Sequence, residues 1–138
     1  MSYLTDRLTD LRRHLDHLAE LRPRARTADA LRRDMSLDND VRYSLLVVCQ
    51  RTIDVAAELS TRRRLRFEDY SEAIRNLAIY EEFPDPLIRL VEPLAELRNA
   101  LIHGNGPVDP ARVVDALGRM EAMERFYQAA DRLTGKKR

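Results

Sequence analysis

Residues 41–59, VRYSLLVVCQRTIDVAAEL, carry the pattern that decides the fold. Apolar or small residues recur here every third or fourth position, the spacing that places side chains on one face of an α-helix. Leu46, Val47, Ile53 and Ala56 widen that face, so we predict a central helix covered by other helices on more than one side. The buried stripe is predicted to consist of Val41, Leu45, Val48, Thr52, Val55 and Leu59.

The sequence before this stretch predicts two further helices. Five leucines alternate at spacings of four and three and predict an amphipathic helix that ends near Pro23. Thr27 is a candidate N-cap for a short helix through Met35, and Asp38 or Asn39 for the central helix. The leucines are Leu4, Leu8, Leu11, Leu15 and Leu18.

Helical spacing continues through the second half of the chain. It resumes at Tyr70 and stops before residues 83–86, where Asp85 is a candidate cap and Pro86 a first helical residue. Pro93 predicts a kink in the next helix, or a later start for it. Asp109 precedes a proline and predicts a last helix that continues to about residue 133. We therefore predict an all-α protein, a five- or six-helix up-and-down bundle. The predicted stripes are Tyr70, Ile74 and Leu77; Leu87, Leu90, Val91, Leu94, Leu97 and Leu101; and Val113, Leu117, Met120, Met123 or Glu124, Tyr127 and Ala130.

Composition limits the class of protein. The 138 residues fit one domain over 1–138, ordered to about residue 134, with a basic tail at 135–138. Lys and Arg number 24 against 23 Asp and Glu, so the net charge of +1 argues against a protein that coats nucleic acid by charge alone. The single cysteine, Cys49, excludes an intrachain disulfide and is predicted to be buried. No segment has the pattern of a signal peptide or a membrane span, so we expect a cytoplasmic protein.

Residues 98–103, RNALIH, form the candidate catalytic motif. His103 stands at the expected end of an apolar helix, beside a glycine-rich turn and five residues after Arg98. Five residues along a helix turn a side chain by about 140°, so the two can converge only where the helix ends. Spacing alone also fits a helix-end histidine stabilised by the helix dipole. His14 and His17 lack a third local ligand, and we expect them to be solvated surface residues without metal.

Together with Val108 and Asp109, this motif resembles the R-N-x-L-(V/I)-H … (V/I)-D-x-x-x-(V/I) signature of HepT-like proteins, which belong to the HEPN superfamily. The resemblance extends over nearly the whole chain, because the helices also follow the family's order. It implies a metal-independent endoribonuclease that acts as the toxin of a toxin–antitoxin pair. The implied catalytic residues are Arg98 and His103, supported by Asn99.

The resemblance also implies partners. They are an RNA substrate, a cognate minimal nucleotidyltransferase antitoxin, and a second copy of the chain in a homodimer whose two motifs meet in a shared cleft. Neither a metal nor a cofactor is implied. A histidine can move the proton of a ribose 2′-hydroxyl near neutral pH, and a guanidinium can hold the scissile phosphate.

The sequence departs from the family at one position. HepT-like proteins carry a tyrosine two residues after the histidine, which accepts AMP groups from the antitoxin, and here that position is Asn105. An amide has no phenolic hydroxyl to modify. Control by simple binding, modification of another residue, and loss of toxin function are the alternatives. The second functional hypothesis is a catalytically degenerate helical module that binds a nucleotidyltransferase or nucleic acid without cleaving it.

Two further groups of residues could contact RNA. Tyr43, Tyr80 and Tyr127 are possible base-stacking platforms, although Tyr43 and Tyr127 lie within predicted helices, where packing is the commoner role. The arginine run at 62–64 could bind phosphate, although a solvated loop is the commoner explanation.

Overall fold

In a computed structural model that describes residues 2–103 and 106–135, the chain is a bundle of helices, and these residues contain no strand. The predicted all-α bundle is confirmed. The described residues divide into more segments than the five or six predicted, because prolines and local caps break the longer patterns. The segments are α1 Tyr3–Leu21, α2 Ala28–Arg32, α3 Met35–Arg62, α4 Tyr70–Arg75, α5 Asp85–Val91, α6 Pro93–His103, α7 Pro110–Leu117 and α8 Met120–Gly135, with 3₁₀ turns at Arg22–Arg24 and Asn76–Ile79.

The long helix α3 is central, since it packs against α1, α2, α4 and α6. Its predicted stripe is buried along the whole length, and so are the five leucines of α1. Of the four residues that widen the stripe, Leu46 is half-buried and the other three are buried. Ser60, near the end of α3, donates a hydrogen bond of 3.1 Å from Oγ to the carbonyl of Ala73 and fixes α4 on α3.

Side-chain caps set where the first helices begin. Thr27 caps α2 as predicted, and its Oγ1 accepts a hydrogen bond of 3.1 Å from Ala30 N. The predicted cap of α3 at Asp38 or Asn39 is wrong. The cap is Asp34, whose Oδ1 accepts from Leu37 N at 3.0 Å, and α2 ends at Arg32 rather than at Met35. Asp34 has an extended backbone with φ −137°, which frees its carboxylate to turn back on the first turn.

Proline and glycine divide the second half of the chain. The helix that Pro93 was expected to interrupt is two helices, and Pro93 is the first residue of α6, where its missing N–H costs nothing. The preceding helix begins at Asp85, whose side chain makes no cap, so that prediction is wrong. A helix restarts at Pro110 as expected, and the Asp109 side chain caps this helix, α7, by accepting from Ala111 N. The continuous last helix is also wrong, because Gly118 and Arg119 separate α7 from α8.

Three other predictions are settled by burial. Leu90 is 48% exposed and Tyr70 37% exposed, so neither belongs to a buried stripe. Cys49 is fully buried as predicted, and desolvation raises the pKa of its thiol to about 12.

Gly135 is the last residue of α8, and the rest of the predicted basic tail lies outside the described residues. Within the described ranges, no helix is both long and apolar enough to cross a membrane.

A pair of charged side chains joins the two ends of the chain. The Arg12 guanidinium on α1 donates two hydrogen bonds to the Glu124 carboxylate on α8, at 2.6 and 2.5 Å, and a third bond to Asp16. Its carbon Cζ also lies 4.8 Å from the centre of the Tyr127 ring. This contact holds α8 against α1.

We predict that Arg12→Met lowers the free energy of unfolding by about 1–2 kcal/mol, because it leaves Glu124 without its bidentate partner. Solvent limits the loss, since both side chains are 31% exposed. Urea unfolding measures the change. Arg13→Met is the matched control, because Arg13 is exposed. Equal stabilities of the two variants would contradict the structural role of the pair.

Candidate active site

Helix α6 carries the whole RNALIH motif. Its Leu94, Ala95 and Leu97 are buried and α6 packs against α3. Because Arg98 follows this buried set, its side chain emerges at the edge of the interface and is half-buried, whereas Asn99, Ile102 and His103 are exposed. One helix therefore presents the predicted site residues along the border between the core and the surface.

The Arg98 guanidinium is held by three side chains. Its Nε donates to Gln50 Oε1 on α3 at 2.8 Å, and its Nη1 donates to Asn99 Oδ1 at 3.0 Å. The Tyr70 ring completes the contact, with its centre 5.6 Å from Cζ. Both hydrogen-bonding oxygens belong to neutral amides, so they fix the guanidinium without neutralising its charge. That leaves a positioned cation suited to an anionic ligand.

Gln50 is itself fixed by charged neighbours. Its Nε2 donates to Asp54 Oδ1 at 2.9 Å, and the other oxygen of Asp54 accepts from Arg51 at 2.6 Å. Arg51 Nε donates in turn to Asp10 Oδ2 on α1 at 2.7 Å. The amide of Gln50 is thereby oriented with its oxygen toward Arg98, and the contacts continue from α6 through α3 to α1.

His103 is the last residue of α6, as predicted, and its side chain is exposed. In the described residues, no hydrogen bond or ion pair joins His103 to Arg98, although Arg98 and Asn99 are brought together. The helix continues to position 103, so its geometry turns the two side chains apart. Convergence of the pair within one copy of the chain is therefore not observed.

The other residues singled out from the sequence lie outside α6. Asn105 lies outside the described residues. His14 is not solvated: it is half-buried, its Nδ1 lies 3.0 Å from Ser44 Oγ, and desolvation lowers its pKa below the ordinary histidine value. His17 lies 2.9 Å from Asp40. Across residues 2–103 and 106–135, no group of three or more His, Cys, Asp or Glu side chains could hold a metal ion.

The tyrosines and the arginine run differ from expectation in part. Tyr43, predicted to pack, is 62% exposed. Tyr80 is buried and donates to the Leu59 carbonyl at 2.8 Å, so it is no stacking platform. Arg62 is still part of α3 and pairs with Glu58.

Gln50 and Tyr70 are the site residues that the sequence did not indicate. Gln50 is a polar residue directly after the apolar run of the central helix, and that position is its only signal. It lies 48 residues from Arg98, so only the fold shows the contact. Tyr70 was assigned to a buried stripe because its spacing matched Ile74, but it sits in the first position of a six-residue helix, where its ring reaches Arg98 instead.

The fold and the site together define an all-helical protein with a motif-bearing helix at the edge of its core. Comparison by sequence matches residues 5–130 to the ribonuclease HepT-like family. The chain belongs to this family, and the resemblance to HepT-like proteins noted from the motif is confirmed. A comparison with curated proteins gives no match.

Solved structures show the same fold. The chain is similar to a tri-AMPylated Shewanella oneidensis HEPN toxin in complex with MNT antitoxin, with a TM-score of 0.77 and 18% identity over 94% of this chain and 97% of that one. A toxin–antitoxin complex with AMP-PNP gives a TM-score of 0.75 at 18% identity, over 94% of this chain and 99% of that chain.

We predict that Gln50→Leu releases the Arg98 guanidinium, because the substitution removes the oxygen that accepts from Nε. The Nε–H signal of Arg98 in nitrogen-resolved NMR spectra is expected to exchange faster with water and to shift. Gln128→Leu is the matched control, since Gln128 is exposed on α8. An Arg98 signal that is unchanged in Gln50→Leu would show that the contact is not formed in solution.

Proposed function

We propose that this chain is the toxin of a bacterial-type toxin–antitoxin system and cleaves RNA as a metal-independent endoribonuclease. The observation that carries the proposal is the Arg98 guanidinium, which neutral amides position on the helix that bears the family's motif and ends at the exposed His103. Membership of a family described as ribonuclease supports it.

The proposed chemistry is in-line transfer at phosphorus. His103 accepts the proton of the ribose 2′-hydroxyl, and the 2′-oxygen forms a bond to the adjacent phosphorus. The bond from phosphorus to the 5′-oxygen breaks, and that oxygen takes up a proton from water as it leaves. The products are a 2′,3′-cyclic phosphate and a 5′-hydroxyl. Arg98 holds the phosphate and offsets the charge that develops on its oxygens, and Asn99 keeps the guanidinium in place.

We propose that two copies of the chain form the complete site. Within one copy, Arg98 and His103 point to different sides of α6, so each phosphate would meet the arginine of one copy and the histidine of the other. Ile102, beside His103, is an apolar side chain left 44% exposed on this helix, and a dimer would cover it.

A minimal nucleotidyltransferase is the proposed antitoxin. The HEPN toxin of Shewanella oneidensis to which this chain is similar is described in complex with MNT antitoxin. That toxin is AMPylated, whereas this chain has Asn105 at the position that the family's modified tyrosine occupies. Control by binding, or by modification elsewhere, is therefore part of the proposal.

We expect purified protein to cleave single-stranded and structured RNA in excess EDTA and to leave cyclic phosphate ends. His103→Ala is expected to lower the rate by roughly 10²–10⁴-fold, because the base that removes the 2′-proton is lost. His17→Ala is the control, since His17 lies on α1 outside the motif. If neither the wild type nor His103→Ala cleaves RNA, the chain is the non-catalytic module instead, and equal cleavage by both would rule out His103 as the base.

The dimer is tested separately. Ile102→Glu is expected to shift the protein from dimer to monomer in light scattering and to lower cleavage in parallel, because a charge would be buried in the interface. Ile79→Glu is the matched control, as Ile79 is 46% exposed elsewhere on the chain. A wild-type protein that stays monomeric at micromolar concentration would rule out the composite site.

A further inference from the structure

A groove lined by two tyrosines shares Tyr70 with the Arg98 contact. Tyr3, the first residue of α1, and Tyr70, the first residue of α4, line it together with one face of α3, and its volume is about 270 Å³. We call it the tyrosine groove. Tyr3 is 44% and Tyr70 37% exposed, so both rings have surface available to a ligand. The lining residues of α3 are Ile53, Asp54, Ala57, Glu58 and Thr61.

Cations stand at both tyrosines. The Arg98 guanidinium lies against Tyr70, as described above, and the Arg7 guanidinium carbon is 4.5 Å from the centre of the Tyr3 ring. Tyr70 therefore contacts both the groove and the group proposed to hold the scissile phosphate. A strand of nucleic acid bound at Arg98 would reach the groove across the Tyr70 ring.

The charge of the α3 face indicates which part of a nucleotide fits inside. Asp54 and Glu58 line the groove and are paired with Arg51 at 2.6 Å and Arg62 at 2.9 Å. Carboxylates repel a phosphate but accept hydrogen bonds from the amino group of a base. Aromatic rings stack on bases of any sequence. Stacking surface, acceptors and flanking cations together match a nucleobase whose phosphates stay outside at the arginines.

We propose that the tyrosine groove binds an unpaired nucleobase of the RNA, next to the phosphate held by Arg98. The proposal rests on the proposed function in that RNA is the ligand. A base paired in a duplex is already stacked between its neighbours and cannot enter, so the groove selects RNA that is single-stranded beside the cleaved bond. Bases that carry an exocyclic amino group are favoured over uracil, because Glu58 offers a carboxylate oxygen besides the one that accepts from Arg62.

A single tryptophan can report on the groove, because the chain contains none. Tyr3→Trp places the fluorophore in the groove and keeps an aromatic ring there. We use short single-stranded RNA with 2′-O-methyl groups, which cannot supply the attacking hydroxyl and so stays intact. The tryptophan emission is expected to be quenched to saturation by this RNA, and less by the same sequence in a duplex. Tyr43→Trp is the matched control, because Tyr43 is exposed on α3 outside the groove.

Kinetics give the second measurement. Tyr3→Ala is expected to raise KM for single-stranded RNA by about tenfold and to leave kcat unchanged, since the lost stacking does not involve the reacting atoms. Tyr3→Phe and Tyr43→Ala are expected to retain the wild-type KM. Thermal unfolding checks that each variant is folded.

The outcomes separate this proposal from the one on which it rests. RNA that binds by fluorescence anisotropy without changing the emission of Tyr3→Trp overturns the groove and leaves the ribonuclease proposal standing. Emission that depends on protein concentration and not on RNA identifies an interface between copies, which also overturns the groove. Absence of both RNA binding and cleavage in the wild type overturns both proposals.

Discussion

The burial of α3 is the constraint on which the rest of the structure depends. Its stripe from Val41 to Leu59 is covered by α1, α4 and α6, so these helices must approach from different directions around one axis. Burial of this kind is stabilising at roughly 25 cal/mol per Å² of apolar surface. Gln50, Arg51 and Asp54 lie at the edge of the stripe. There α3 supports the motif on α6, because Gln50 accepts a hydrogen bond from Arg98 and donates one to Asp54.

How much of this the sequence predicts depends on the range of the interaction. Periodicity in α1 and α3 is a property of neighbouring residues, and both stripes are buried as expected. The cap of α3 was placed four or five residues late, because Asp34, Asp38 and Asn39 are all good caps by residue type. Only the extended backbone at Asp34 distinguishes them, and it depends on how the chain leaves α2. The split between α7 and α8 is of the same kind.

The candidate site shows the same division. Arg98, Asn99 and His103 are candidates from six consecutive residues, because the motif is local. Gln50 and Tyr70 come from other helices, and no periodicity relates them to Arg98. His14 was expected in solvent because charged residues surround it in the sequence, yet the packing of α1 on α3 places it against Ser44. Long-range neighbours of a polar residue follow from the fold and not from its sequence context.

The amides that hold Arg98 have a consequence for how far the site acts. A chain with a net charge of +1 has little field of its own at a distance. The uncompensated charge of one guanidinium is screened within about 8 Å at physiological ionic strength. An anion is therefore drawn only weakly to this protein from bulk solution and experiences Arg98 mainly on near contact. Which anions bind then depends on shape and on short-range contacts.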